Sequence, residues 1–258
     1  MKGIYLAASG MMGQWMKLEA ISNNISNINT AAYKKDTIHF RNLLMGGVQP
    51  QTRPGVQLAS IQNSSSPSLS PLQSYYPVGN YAIDFSEGEL HETGNPLDLA
   101  LKGEGFFVVS TPQGRRYTRS GGFTLSTNGE LQTLDGFPVL SKNGPIPMPR
   151  NGGEVEVTSS GEVKVDGKVV GALDIVDVST PSALVKDGKN LFYSPSGQSQ
   201  ELSANAEVLQ GYLEQSNVNP VNQMVELINT VRSFQMYQKA MQTFDDNFGR
   251  LLDIAGRS

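Results

Sequence analysis

The stretch that decides the fold runs Ile21-Ser22-Asn23-Asn24-Ile25-Ser26-Asn27-Ile28-Asn29-Thr30, and it is followed by Ala31-Ala32-Tyr33-Lys34-Lys35. An asparagine inside a helix is unfavourable, because its amide competes for backbone hydrogen bonds. The cluster is therefore typical of a helix end, or of a surface where side-chain amides bond to adjoining chains. The sequence leaves both interpretations open for Asn24 and Asn27.

Upstream of this stretch, apolar residues recur with the three- and four-residue spacing of a helix. The series starts at Ile4 and passes through Met11, Trp15 and Leu18 to Ile25. This spacing predicts a helix with one apolar face. The start of the chain also resembles a signal peptide, but glycines interrupt its apolar run and the helical pattern continues past any cleavage site. We therefore expect this segment to be retained as structure.

A second, longer helix is predicted at the other end of the chain. The stretch Ser216-Asn217-Val218-Asn219-Pro220 has the composition of a helix cap followed by a first-turn proline. Beyond it, apolar residues keep the helical spacing from Met224 to Ala255, which predicts a helix of about 35 residues. Asn217 and Asn219 fit either helix caps or contacts with a neighbouring subunit.

The middle of the chain has the pattern of a β domain. Short alternating runs are separated by turn dipeptides, among them Asn128-Gly129, Asp135-Gly136 and Asp166-Gly167, and this predicts hairpins. Residues 46–79 are rich in Gln, Ser, Pro and Gly and have too few apolar anchors to form a core. We divide the chain into a first helix with the polar stretch (1–45), an extended segment with its lead-in (46–97), a β domain (98–210) and a last helix (211–258).

These elements predict an α+β fold. Its long N- and C-terminal helices would pair as a coiled-coil-like core, with an all-β domain inserted between them. The apolar stripe of the last helix is wider than one neighbouring helix covers, so we expect other chains to cover the remainder. The alternative is an ordinary helical hairpin that docks on its own β domain.

The composition excludes several classes of function. Of the 258 residues, 38% are hydrophobic and 17% are charged, and the net charge is −4, without the basic face that nucleic acids need. The absence of cysteine excludes disulfides and thiolate metal sites. No apolar run reaches the roughly 20 residues of a membrane-spanning helix.

The sequence also lacks the motifs of common enzymes. His39 and His91 lie far apart without further metal ligands, and Gly103-Glu104-Gly105 lacks the third glycine of a dinucleotide site. The adjacent carboxylates Asp245-Asp246 do not face each other on a helix. We expect no enzymatic activity, cofactor, metal or small-molecule substrate. A peptidoglycan-cleaving enzyme and a secreted adhesin or tip protein are the alternatives from other classes.

Several motifs together resemble the axial proteins of the bacterial flagellum, that is, its rod, hook and hook-associated proteins. Residues 21–35 resemble the end of that family's first helix, with Ala32 where the family usually has glycine. Residues 94–107, 117–123 and 128–131 are similar to its β domain, and residues 211–219 to the lead into its last helix. A glycine in the family suggests a positive φ angle at this point, which alanine resists.

The resemblance implies a structural subunit of the flagellar basal-body rod that self-assembles through its terminal helices and transmits torque. The shortness of the chain favours a rod protein over the hook protein. Residues 144–149 and 238–250 resemble the proximal-rod members more than the distal ones. The implied partners are other rod proteins, further copies of the chain and the flagellar export apparatus. The implied location is the periplasmic rod, reached by type III export without a cleaved signal peptide.

We expect the assembly interface to comprise apolar residues of both helices together with the asparagines at their ends. These residues are Ile4, Met11, Trp15, Leu18, Asn24, Ile25, Asn27, Asn217, Asn219, Leu227, Val231, Phe234, Met241 and Phe248.

Overall fold

A computed structural model describes residues 2–41, 78–149, 153–195, 201–203 and 206–255. Apart from residues 78–79, the predicted Gln/Ser/Pro-rich segment 46–79 lies outside the described residues.

Two α-helices form the ends of the described chain. Helix α1 spans Lys2–Ser26 and helix α2 spans Pro220–Ala255, which is 36 residues. Pro220 begins α2 because its fixed φ suits the first helical turn and its missing N–H is not needed there. The Asn219 side chain caps this helix, since its Oδ1 accepts a hydrogen bond from the Asn222 N–H at 3.0 Å. Both helices therefore lie where their periodicity predicts them.

The rest of the described chain is mainly β-structure, with one short 3-10 helix at Pro181–Ala183. The strands are β1 (Asp36–Arg41), β2 (Val78–Ile83), β3 (Leu90–Glu92), β4 (Leu99–Lys102), β5 (Phe106–Thr111), β6 (Gly114–Thr118), β7 (Phe123–Leu125), β8 (Leu131–Thr133), β9 (Leu140–Ser141), β10 (Gly144–Pro145), β11 (Val155–Val157), β12 (Glu162–Val165), β13 (Lys168–Ala172), β14 (Ile175–Val178), β15 (Val185–Lys186), β16 (Leu191–Tyr193), β17 (Glu201–Ser203), β18 (Glu207–Gln210) and β19 (Tyr212–Glu214).

The strands form several small antiparallel sheets. The largest has six strands in the order β15-β16-β6-β5-β14-β17, and β11-β12-β13 form a three-stranded sheet. The predicted turns are confirmed, because Asn128-Gly129 joins the paired strands β7 and β8, and Asp166-Gly167 joins β12 and β13. At the second turn both φ angles are positive, 50° at Asp166 and 76° at Gly167, as a two-residue hairpin turn requires.

The core of the described chain lies among the strands. One buried cluster is built around Leu101, Phe107 and Ile146, and a second contains Phe106 and Phe192. Phe107 and Phe123 meet edge to face with ring centroids 5.2 Å apart. Period-two alternation lets each strand present a full apolar side to such a core.

The predicted α+β fold with a coiled-coil-like helical core is wrong. The described chain has two helices and a majority of its regular structure in strands, and both buried clusters consist of strand and loop residues. The physical reason is that the apolar residues of α2 do not form a buried seam. Leu227 and Val231 are half-buried, whereas Met224 and Ile228 are 54% and 52% exposed. A coiled-coil core needs such apolar positions to be packed into the facing helix.

The chain divides into two compact units. The first comprises Met1–Leu18, Ile38–Asn80 and Asn229–Ser258, and the second comprises Glu19–Thr37 and Tyr81–Ile228. Within the first unit, the rings of Trp15 and Phe234 lie 6.3 Å apart. The second unit contains the β core and the site described next.

Candidate functional site

The asparagine-rich end of α1 and the turn that follows it meet the chain segment that enters α2, and we call this meeting point the junction. It comprises Asn24, residues 31–36 and residues 214–217. Residues 31–36, which we call the signature turn, reverse the chain between α1 and β1. All of these residues belong to the second compact unit.

Asn24 closes the loop between α1 and β1. Its side chain is buried, its Oδ1 accepts hydrogen bonds from the Asp36 N–H at 2.8 Å and the Tyr33 hydroxyl at 3.1 Å, and its Nδ2 donates to the Asp36 carbonyl at 2.9 Å. Nδ2 also reaches the Gln223 side chain at 3.4 Å. One amide therefore links the end of α1, the start of β1 and the first turns of α2.

Ala32 adopts the left-handed backbone conformation, with φ of 54°. Its N–H donates to the Glu214 carbonyl at 2.8 Å, and the residue is buried. The positive φ suggested by the family's usual glycine is therefore present although the residue is alanine. The left-handed conformation costs a non-glycine residue about 1–2 kcal/mol, so the turn is strained.

We expect Ala32→Gly to leave the free energy of unfolding unchanged or to raise it by up to about 1 kcal/mol. Relief of the strain offsets the lost methyl burial, about 0.8 kcal/mol, and the greater freedom of glycine in the unfolded chain. Ala20→Gly is the matched control, because Ala20 is also buried but lies inside α1, where glycine costs about 1 kcal/mol. Urea unfolding of both variants checks this, and equal losses of stability would show that the turn is not strained.

A buried ion pair joins the signature turn to β19. The Lys34 ammonium lies 2.6 Å from Glu214 Oε1, and both side chains are almost fully buried, with 0% and 1% of their surface exposed. The same ammonium donates to the Ser86 carbonyl at 2.7 Å, and the Gly88 N–H donates to Glu214 Oε1 at 2.9 Å. Burial lowers the pKa of Lys34, and the Glu214 carboxylate opposes that shift.

A second cation lies on the other side of the turn. The Lys186 ammonium forms an ion pair with Asp36 Oδ1 at 2.8 Å and lies 4.2 Å from the centre of the Tyr33 ring. Burial lowers the pKa of Lys186, and the hydrogen bond to Asp36 opposes this. Burial and the neighbouring Asp36 carboxylate raise the pKa of Tyr33, so its hydroxyl stays protonated and donates to Asn24.

Asn217 links three segments of the chain. Its Oδ1 accepts from the Lys35 N–H at 2.8 Å, and its Nδ2 donates to the carbonyls of Asp84 at 2.8 Å and Ser86 at 3.1 Å. Asn217 is therefore a cross-link within the chain, whereas Asn219 is the helix cap. Burial raises the pKa of Asp84, but hydrogen bonds from Ser86 and Lys35 outweigh it and lower that pKa below its usual value.

The remaining predicted interface residues lie along the two helices, except Asn27, which directly follows α1. Asn27 bonds locally, donating to the Asn23 carbonyl at 2.9 Å. Trp15 and Phe248 are exposed. The others are half-buried: Ile4, Met11, Leu18, Ile25, Leu227, Val231, Phe234 and Met241. The structure thus brings Asn24 and Asn217 into the junction, and their role in assembly stays a prediction.

An exposed apolar stripe on α2 was not predicted as a separate surface. Val221, Met224, Val225 and Ile228 lie on one side of the helix and are between 52% and 66% exposed. We call these four residues the α2 stripe. Their spacing of three and four was visible in the sequence, but the pattern alone did not distinguish the buried side of α2 from this one.

The charged members of the junction were also missed. Lys34 and Glu214 both lie in motifs that were recognised, but they are 180 residues apart and their pairing depends on the fold.

Among the described residues there is no cluster of His, Cys, Asp or Glu that could hold a metal ion. The helices in the described ranges are also not long and apolar enough to span a membrane.

Three family models match the chain in order. The model for flagella basal body rod proteins matches residues 4–34, the model for the D1 domain of the flagellar hook protein FlgE/F/G matches residues 100–165, and the model for the C-terminal part of flagellar basal body rod FlgEFG proteins matches residues 209–254. The first and last matches overlap the two halves of the junction.

Relatives that match nearly the whole chain include proteins named FlgF and FlgG. The flagellar basal-body rod protein FlgF of Rhizobium meliloti (strain 1021) is 29% identical, covering 99% of this chain and 98% of the relative. The flagellar basal-body rod protein FlgG of Bacillus subtilis (strain 168) is 30% identical over 98% of this chain and 99% of the relative. FlgG of Caulobacter vibrioides is 32% identical over 95% and 96%.

Proposed function

Because this chain belongs to the flagellar basal-body rod protein family, we propose that it is a structural subunit of the rod that assembles through its terminal helices and transmits torque. Its membership confirms the resemblance of the sequence motifs. The family is a structural one, and we propose that the chain has no catalytic activity.

The observation that carries this proposal is the apolar surface that the helices leave uncovered. The α2 stripe is more than half exposed, and so are Met12, Trp15 and Met236. Leaving such a row of side chains in water is unfavourable, at roughly 25 cal/mol for each Å² of apolar surface. Contiguous exposed apolar patches mark surfaces that bind another protein. We propose that neighbouring rod subunits cover these faces.

Within the rod, we propose that this chain occupies the proximal position, because its sequence most resembles the proximal-rod protein FlgF. The support comes from residues 144–149 and 238–250, whose sequences resemble FlgF. Relatives named FlgF and FlgG have similar identities to this chain, so the overall identity does not favour either name. The identity of the rod proteins that cross-link to this chain in purified basal bodies tests the assignment.

We further propose that the chain reaches the periplasmic rod through the flagellar export apparatus. This proposal derives from the family. Accumulation of the chain inside cells that lack the export apparatus would support it, and normal delivery in such cells would contradict it.

The assembly proposal predicts that Ile228→Glu blocks incorporation into rods while the purified chain folds normally. Ile228 is 52% exposed, so a charge there costs the free subunit little, but burying that charge against a neighbour is costly. We expect the recovery of rods to fall at least about tenfold, and swimming to fall with it. A tenfold fall corresponds to a loss of about 1.4 kcal/mol of binding free energy at each subunit contact.

Asn222→Glu is the matched control, because Asn222 is exposed on α2 but lies about 100° around the helix from Val221. We expect it to swim and to build rods as the unmodified chain does. Normal swimming in Ile228→Glu cells, with the variant present at its usual level, would remove the α2 stripe from the interface.

A further inference from the structure

One hairpin of the six-stranded sheet contacts the signature turn. Strands β15 and β16 form this hairpin, residues 185–193, and β16 pairs in turn with β6. Phe192 anchors the hairpin, because its side chain is buried in the second core cluster. Arg116 of β6 pairs with Asp187 in the hairpin loop, with its Nε 2.5 Å from the Asp187 Oδ2. The hairpin is therefore fixed to the β core.

At the tip of the hairpin, Asn190 reaches the signature turn. Its Nδ2 donates to the Ala31 carbonyl at 3.0 Å, and its own carbonyl accepts from the hydroxyl of Thr118, a buried residue of β6, at 2.9 Å. The φ angle of Asn190 is 55°, a conformation that asparagine tolerates better than most residues. A continuous chain of hydrogen bonds thus runs from the β core to the turn.

Lys186, on the first strand of the hairpin, makes three contacts with the same turn. Its ammonium donates to the Lys34 carbonyl at 2.7 Å, pairs with Asp36 Oδ1 at 2.8 Å and lies over the Tyr33 ring. Because Ala32 adopts the left-handed conformation, the signature turn cannot continue the hydrogen bonds of a helix. Its carbonyl oxygens therefore need other donors. Lys186 and Asn190 supply such donors from the β domain.

We propose that the hairpin formed by residues 185–193 is a clasp that holds the signature turn in its strained conformation and fixes it to the β domain. Lys186 and Asn190 are its positioning residues. The contacts of the clasp lie within one chain, so this proposal does not depend on the proposed role in the rod. If that role holds, the clasp is one of the contacts through which torque passes between the junction and the β domain.

Amide hydrogen exchange on the purified full chain tests the clasp. Asn190→Gly removes the side-chain donor but keeps a residue suited to the positive φ, and Lys186→Met removes the cation but keeps the aliphatic stem. We expect each variant to speed exchange of the amides of residues 32–36 by at least about tenfold, since hydrogen bonds to charged or buried groups contribute at that level. Amides of β5, such as Val108, should exchange as slowly as before.

Lys189→Met is the matched control on the same hairpin, because the Lys189 side chain is half exposed and pairs with Asp135 at 3.4 Å instead of the turn. Unchanged exchange at residues 32–36 in both test variants, with slow exchange in β5, overturns the clasp. If Lys186→Met fails to fold, Asn190→Gly decides alone. Equal acceleration in the turn and in β5 also overturns the proposal, because it would mean that the hairpin supports the whole core and not the turn in particular.

Discussion

Glu214→Gln is expected to destabilise the chain by about 3–5 kcal/mol, the usual cost of removing one partner from a buried ion pair. The substitution keeps the size of the side chain and leaves an oxygen for the Gly88 N–H. It also leaves the buried Lys34 ammonium without a countercharge. Lys34→Met should cost a similar amount, because it leaves the buried Glu214 carboxylate without its positive partner. Chemical denaturation of the purified chain measures both losses.

The neighbouring pair Lys35 and Asp84 provides the control. Their charged atoms lie 3.1 Å apart, but about a third of each side chain is exposed. Lys35→Met should therefore cost only about 0–1 kcal/mol. The double variant Lys34→Met/Glu214→Gln should lose less than the sum of the two single variants, because it leaves no unpaired buried charge. Strict additivity would contradict a coupled pair.

Asn24→Leu is expected to lower the free energy of unfolding by about 2–5 kcal/mol and to abolish rod formation. Leucine is similar in size but leaves the Asp36 N–H and carbonyl without their partner, and each unpaired buried group costs about 1–3 kcal/mol. Tyr33 is affected less, because its hydroxyl also reaches Asp36 Oδ2 at 3.3 Å. Denaturant unfolding and recovery of rods from the variant strain are the two measurements.

Asn23→Leu separates this effect from a general intolerance of leucine at the end of α1. Asn23 is exposed, and its side chain accepts a hydrogen bond from Asn27 at 3.0 Å. We expect this variant to lose less than about 1 kcal/mol. If both leucine variants behaved alike, the junction network around Asn24 would not be the reason for the loss.

The parts of the fold that could be predicted from sequence are those fixed by neighbouring residues. Asp166-Gly167 specifies a tight hairpin turn by its backbone preferences, and Asn219-Pro220 specifies a helix start by capping and a fixed φ. The asparagines of the polar stretch were correctly identified as special, but spacing alone did not show that Asn24 bonds within its own chain.

The parts that could not be predicted depend on long-range packing. Lys34 and Glu214 are 180 residues apart in the sequence, and neither local sequence predicts the partner of its charged side chain. The coiled-coil core was wrong because helical periodicity reports that a face is apolar and not what covers it. In this chain the strand residues form the core, while the α2 stripe stays exposed.

Site-specific photo-cross-linking from position 225 or 228, in cells that build flagella, tests the central claim most directly. Val225 and Ile228 lie in the exposed α2 stripe, so a photoreactive side chain there should not disturb the free subunit. We predict that purified basal bodies contain the chain joined covalently to other rod proteins or to a second copy, and that such products are absent from cells that cannot assemble rods. Swimming cells whose purified basal bodies lack the chain, or contain it without cross-links from either position, would contradict the account.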